Sequence, residues 1–455
     1  MTPAFALLNV TSCVPKSSQA MPETKKINPQ ASLALSAQSM HGLGVLCGIA
    51  AGAWLGAAEA PTKLVTAGLS PYTISLCMVS GVFVARWTLP TLLRGTSYVI
   101  DDLRARPHLI AWAILAGALW AVANTLTVFA IRDVGLAIAF PLWNANSLIG
   151  ILWGILLFRE LRGAPAKNWT KVIFGSLAIV AGATMLGLST VRSSPVGSAH
   201  ARGGIAAALG ASLLWGTMYV PYRKAYLSGM NPLSFVTIFT IGELGTMLVL
   251  AGSLAGGLHS VAGQIVAARH YLFWLFLGGF CWVIGDLFQQ YATKYVGIGR
   301  GIPLSNTNQL WGLAWGVLVF GELAGLSRSH QIIVIAGSIV MILGALAIST
   351  AAASAEEHSS THDALLRECN RYELDYHGSL MALGGIEDEK RAASRRRWWD
   401  YLIVAVAVGL FAWFAWGATL PPLPMNLRWG AVLCIALAIL LFGSGWALWK
   451  RTRFF

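Results

Sequence analysis

At 455 residues, 56% hydrophobic, with a mean hydropathy of +0.64 and only 11% charged residues, the chain has too little polar surface to coat a soluble fold, where about a quarter of residues are charged. Its net charge of +13 raises nucleic-acid binding. The basic residues, however, fall between apolar runs rather than in one patch, so topology explains them without nucleic acid.

Residues 1–40 contain no span. MTPAFALLNV is apolar but has no basic residue before it, so it does not read as a cleaved signal peptide. It reads as a disordered cytoplasmic extension, or as sequence upstream of a start at Met21 or Met40. Crossing a bilayer takes about 20 apolar residues. Runs that meet this lie at 41–60, 71–93, 108–131, 135–158 and 169–190. A short linker at 191–201 precedes runs at 202–222, 231–257, 270–292, 297–320 and 330–351. A polar segment at 352–400 follows, then a hairpin over 401–448 with spans near 401–418 and 427–448, and a tail at 449–455.

Within the polar segment, EEHSSTHDALLRECNRYELDYHGS reads as one short helix. RRRWWD, from Arg395, reads as an interfacial anchor with Trp398 and Trp399 in the aromatic belt. His358 and His362 are four apart with no third ligand in view, so metal binding has little support. Cys47, Cys77, Cys281 and Cys434 fall within spans at unpaired spacings and read as packing residues.

With both termini cytoplasmic, the inner face collects Lys16, Lys25, Lys26, Arg94, Arg104, Arg106, Arg159, Arg162, Lys167, Lys171, Arg223, Lys224, Lys294 and Arg300, and most of the basic residues beyond 352. The outer face holds Lys63, Arg132, Arg192, Arg202, Arg269, Arg328 and Arg428. That bias is a positive-inside signal and points to a plasma (inner) membrane protein.

PLWNANSLIGILWGILLFRELRG, from Pro141, aligns without a gap to PLSNTNQLWGLAWGVLVFGELAG, from Pro303, and matches at 13 of 23 positions. The echo continues upstream, with Gly117, Trp120 and Asn124 matching Gly279, Trp282 and Asp286. GAAEAPTK resembles GTMYVPYRK further back. Residues 41–190 and 202–351 are therefore two copies of a five-span unit. Two tandem odd-span units cross the membrane in opposite senses, the inverted-repeat plan of many secondary transporters. The expected fold is all-α and integral to the membrane: ten helices in two inverted five-helix repeats, plus a C-terminal two-helix transmembrane hairpin.

These residues resemble the drug/metabolite transporter superfamily. The motifs G-x-x-W-x-x-G-N/D, P-L-x-N-x-N and F-x-E-L-x-G are similar to those of its glucose/ribose porter (sugar transporter) branch, over about 41–350. The resemblance implies a proton- or sodium-linked sugar uptake carrier. The N-terminal extension, the segment after span ten and the extra hairpin depart from it. Plant ureide permeases carry a long central cytoplasmic loop, which the short 191–201 join lacks. No G-x-x-x-x-G-K-[ST] supports ATP drive.

Polar residues inside spans are candidates for function. Pro141, Asn144 and Ser147 share a helix face, as do Pro303, Asn306 and Gln309. Neutral amides suit a hydroxyl-rich ligand, because they both donate and accept. Asn144, Asn306, Asn146 and Asn308 are therefore candidate substrate contacts, with Asn124 and Gln290. Trp120, Trp282 and Trp143 would stack on a sugar ring. Asn146 also lies on a stripe with Gly150 and Gly154, where a bond across a helix contact is the plainer role. Asp286, Glu243 and Glu59 are candidate coupling residues for H+ or Na+. For Asp286 the plainer role is a structural hydrogen bond, to Lys294 or to a neighbouring helix. Arg86 needs a partner, Glu59 or Glu243. Glu160 and Glu322 sit at helix C-terminal ends against the dipole and read as structural.

The function expected is secondary active transport of a small polar solute, a monosaccharide, with no cofactor and no enzymatic step, by a protein that lies in the bilayer and forms a homodimer at most. The alternatives are export of amines, amino acids or nucleotide sugars, and a scaffold or sensor acting through the C-terminal segment.

Overall fold

A computed structural model describes residues 29–58, 60–61, 70–134, 142–190, 198–321, 327–385, 396–419 and 425–454, and is helical with no strand among them. The first stretch comprises α1 (Pro29–Ala57), α2 (Pro71–Arg94), α3 (Ser97–Ala105), α4 (His108–Val134), α5 (Asn146–Phe158) and α6 (Ala166–Thr190). The second comprises α7 (Ser198–Leu227), α8 (Pro232–Leu254), α9 (Leu258–Ala267), α10 (Leu272–Val296), α11 (Ile298–Ser305), α12 (Asn308–Ala314) with a π turn over Trp315–Val319, and α13 (Arg328–Ser349). Beyond it lie α14 (Ala355–Tyr372), α15 (Tyr376–Leu383), α16 (Trp398–Trp416) and α17 (Leu427–Thr452). Nine helices among the described residues are long and apolar enough to cross a bilayer, so this is an integral membrane protein. Residues Met40–Phe455 form one compact unit.

Local chemistry places the helix starts. Ser70 caps α2, its hydroxyl accepting the Thr73 N–H at 3.2 Å, and Pro71 takes the first turn. Asn231 and Pro232 repeat the arrangement at α8, where Asn231 Oδ1 accepts the Leu233 N–H at 2.8 Å.

Three expectations change. Helix begins at Pro29, inside the stretch read as an extension, while residues 1–28 lie outside the described residues. The runs at 135–158 and 297–320 are not unbroken spans. One turns at Asn144–Ala145 before α5, and Pro141 lies outside the described residues. The other ends α11 at Ser305, turns at Asn306–Thr307 and restarts as α12. Pro303 has no N–H to give the helix. Ser305 and Thr307 hydroxyls donate to the Ile302 and Leu304 carbonyls, each at 2.8 Å, beside the backbone N–H groups of Asn306 and Thr307 that bond to the same oxygens. Finally, the polar segment forms two helices rather than one. Glu373 turns left-handed at φ 52°, and Asp375 caps α15 by accepting the His377 and Gly378 N–H groups.

Glycines set how closely the two stretches pack. A Cβ on Gly117 of α4 would lie 2.0 Å from the Phe239 carbonyl of α8, and one on Gly242 of α8 would lie 2.2 Å from the Ile114 carbonyl. The α2–α10 crossing repeats this, with Gly81 against the Phe276 carbonyl at 2.4 Å and Gly279 against the Met78 carbonyl at 2.2 Å. In α6 and α13, Gly175 faces the Gly344 carbonyl at 2.7 Å and Gly182 the Gly337 carbonyl at 2.6 Å. In each crossing the numbering runs in opposite directions, so the helices are antiparallel. Small residues at such contacts let backbones meet where no hydrophobic force drives helices together.

Gly117→Ala forces these backbones apart and is expected to cost about 1–3 kcal/mol. Gly245→Ala, where an added Cβ meets nothing within 4 Å, is expected to cost nothing. Thermal unfolding of the two variants in detergent checks the contrast.

Candidate functional site

The α2–α10 and α4–α8 crossings bring three charged residues into one buried cluster. Glu243 follows Gly242 in α8, Asp286 follows Gly285 in α10, and Arg86 lies five residues beyond Gly81 in α2. All three side chains are fully buried. Arg86 Nη2 donates to Asp286 Oδ2 at 2.9 Å, and Nη1 lies 3.6 Å from Glu243 Oε2. Gln290 Nε2 donates to Asp286 Oδ1 at 2.8 Å, and the Tyr226 hydroxyl bonds to Gln290 Oε1. The guanidinium sits 4.1 Å from the Phe239 ring centroid and 5.3 Å from that of Trp282, within cation–π range. Trp282 meets Trp120 edge-on at 4.8 Å.

The two carboxylates are unequally held. Both Asp286 oxygens accept hydrogen bonds, whereas both Glu243 oxygens are buried without one, as are the Tyr222 and Thr240 hydroxyls nearby. One guanidinium therefore faces two carboxyl groups.

A second polar cluster joins the two helix breaks. Asn306 Nδ2 reaches across to Asn146 Oδ1 and Ser147 Oγ, each at 2.6 Å, and lies 3.5 Å from the Asn144 carbonyl. Asn144 Nδ2, Asn308 Oδ1 and Gln309 Nε2 are buried without a hydrogen-bond partner. Adjacent residues on α10 link the clusters: Gln290 holds Asp286, and Gln289 Nε2 donates to Ser305 Oγ at 2.5 Å, at the end of α11.

Of the residues singled out from sequence, Asp286, Glu243, Gln290, Trp120 and Trp282 converge around Arg86, and Asn144, Asn146 and Asn306 meet at the helix breaks. Glu243 was a foreseen partner of Arg86, and Asp286 was not. The bonds made by Asp286 go to Arg86 on a neighbouring helix, one of the two alternatives foreseen, and to Gln290 rather than Lys294. Asn146 makes the cross-helix bond that its glycine stripe suggested, but to the other asparagine pair. Trp143 lies apart from the Trp120–Trp282 pair. It packs at 6.0 Å on Trp215, among Ala123, Ala130, Ala208 and Ala211. Asn124 donates to Ser75 Oγ at 3.4 Å. Glu59 and Glu322 lie outside the described residues. Gln289, Tyr226 and Ser305 were missed. The Gln289–Gln290 pair, two amides inside an apolar run, was the available signal.

Glu160 sits at the C-terminal end of α5, as expected, its N–H bonding to the Gly154 carbonyl at 2.9 Å, but its side chain has a second helix end to serve. Its carboxylate accepts the Ile298 and Gly299 N–H groups at 2.9 Å each, at the N-terminus of α11, where negative charge is favoured. Burial pushes this carboxyl above its ordinary range, against the pull of Arg223 and Arg300.

Residues 97–189 and 207–371 match the family model described as "Sugar transport protein", over half of the chain, and the match extends past the expected boundary into α14. "Transmembrane protein 144 homolog B" of Dictyostelium discoideum is 27% identical over 151 residues, 32% of this chain and 41% of that protein, so the chain spans under half the length of that relative. A "Putative sugar uptake protein" of Listeria innocua is 23% identical over 242 residues, covering 52% of this chain and 78% of that one. One of the same description from Streptococcus pyogenes serotype M6 is 23% identical over 251 residues, covering 52% and 77%.

Removing one partner of a buried ion pair costs about 3–5 kcal/mol. Arg86→Met is therefore expected to destabilise the protein by that order, and the triple variant R86M/E243Q/D286N to recover much of the loss. Thermal unfolding of single and combined variants reads the coupling.

Proposed function

The chain belongs to the sugar transport protein family, and from that premise we propose that it is a secondary active transporter that moves a monosaccharide by alternating access. It is a transporter, not an enzyme. The observation that carries this reading is the asparagine cluster, buried where two helices break and built from both stretches of the chain. Unmatched amide groups on Asn144, Asn308 and Gln309 supply two donors and one acceptor to a ligand whose hydroxyls do both. Trp120 and Trp282 give the neighbouring Arg86 cluster an aromatic wall on which a sugar ring can rest.

The inverted-repeat layout is part of the proposal, with ten core spans, the extra hairpin making twelve, and both termini at the cytoplasmic face of the plasma membrane. Three facts support the layout. The Gly117–Gly242 crossing has its counterpart in the Gly279–Gly81 crossing. The α6–α13 contact exchanges corresponding glycines. Asn306 bonds to the turn of its own sequence counterpart. A two-fold axis through the asparagine cluster produces all three.

Coupling falls to Asp286 and Glu243, with Glu59 the third candidate. The two carboxyl groups around Arg86 call for one further positive charge. A proton on Glu243 meets that need better than Na+, because a metal ion there would sit close to the guanidinium, 3.6 Å from the same carboxylate. The same surplus favours one second reading, a cationic amine as cargo, in which Glu243 binds the solute itself.

Counterflow in proteoliposomes with a panel of labelled sugars is the test. One sugar is expected to exchange, with Asn306→Ala slowing it at least about tenfold, the effect of leaving one buried polar group unpaired. Glu243→Gln is expected to keep exchange while losing accumulation under a proton gradient. If Glu243→Gln abolishes exchange and amines compete, the cargo is an amine. If folded protein exchanges no sugar under any gradient, the sugar assignment falls.

A further inference from the structure

The polar segment after α13 has no part in the site, yet it is fastened across the seam between residues 41–190 and 202–351. At the start of α14, Glu357 takes Arg300 of α11 in a two-point ion pair, at 2.8 and 2.7 Å, and also accepts the Leu161 N–H just beyond α5 at 3.1 Å. Ser354 caps α14, accepting the Glu357 N–H at 3.1 Å, and its hydroxyl donates to the Arg162 carbonyl. At the other end of α14, Glu368 pairs with Lys224 of α7 at 3.0 Å. Tyr372 stacks on His108 of α4 with ring centroids 3.6 Å apart. Each end of α14 thus holds one element of the first stretch and one of the second. α15 adds Ser379, whose hydroxyl donates to the Ser228 carbonyl at 3.4 Å.

The Glu357 pair is not a loose surface contact. Arg300 and Glu357 are 2% and 6% exposed, and a bidentate guanidinium–carboxylate pair is directional. Burial alone would push the Glu357 carboxyl up, but its hydrogen bonds to Arg300 and the charge there outweigh that and hold it below the ordinary range. α5 and α11 are also the two helices that carry the breaks with Asn146 and Asn306 at their ends. Parting them at this face would strand a buried charge, which is costly.

We propose that Ser354–Leu383 is a built-in latch that holds this face of the bundle closed and has to release before the solute path opens there. The inference rests on the alternating-access reading above. The latch is a two-state contact set against which opening must work.

The test compares wild type, Glu357→Gln and the charge-reversed pair R300E/E357R in lipid, by hydrogen–deuterium exchange and by sugar counterflow. Glu357→Gln is expected to raise amide exchange about tenfold over 158–164 and 296–306, an opening effect confined to this face, and to change the counterflow rate. The charge-reversed pair is expected to return exchange toward wild type. A second variant, K224C/E368C joined by a short reducible crosslinker, is expected to stop counterflow until reductant is added. Unchanged exchange in folded Glu357→Gln, or full counterflow by the crosslinked protein, overturns the latch. If wild type moves no sugar, the transport reading fails, and the exchange measurement still decides whether the segment fastens this face.

Discussion

A guanidinium with two carboxyl groups around it and no exposed surface cannot sit among apolar helices unless the helices are held to it. Arg86, Glu243 and Asp286 come from three helices far apart in sequence, and their pairing dictates which helices neighbour one another at the middle of the bundle. Gly81 and Gly279 let α2 and α10 come close enough for Arg86 and Asp286 to meet at 2.9 Å. Packing and electrostatics are one constraint here. Widening the crossing by a methyl group lengthens an ion pair that no water can screen or replace.

The broken helices follow the same economy of polar groups. An unbroken span would satisfy its own backbone and leave nothing for a solute. By turning at Asn144–Ala145 and Asn306–Thr307, the chain brings amide side chains of both stretches together, and the opposite asparagine meets part of their demand. The rest remains as unmatched donors and acceptors, the chemistry a hydroxyl-rich ligand can complete. The two clusters are joined through consecutive residues of one helix, Gln289 and Gln290.

The region beyond α13 shows how a polar segment is fastened to the bundle. Its charged residues meet partners that already stood at helix ends: Arg300 at the start of α11, Lys224 near the end of α7, His108 at the start of α4. Helix ends carry unsatisfied backbone groups and partial charge, so they are the places where a polar segment finds both hydrogen bonds and electrostatic complement. Glu160 uses the same principle within the bundle, lying at the N-terminus of α11.

Residue order by itself determined the membrane class, most of the helix positions, the repeated motif and which polar residues were out of place in hydrocarbon. Apolar run length, charge bias and a motif repeated at a constant spacing are all carried by local sequence. Only the tertiary structure decided which of those residues meet. Asp286 found Arg86 on another helix as well as Gln290 on its own, Asn306 found Asn146, and Trp143 was carried away from the other two tryptophans. The physical reason is that helical periodicity assigns a side chain to a face but does not say which neighbour that face will touch. That neighbour is set by crossings between helices more than a hundred residues apart, and glycine-mediated approach fixes those crossings only once both helices are in place.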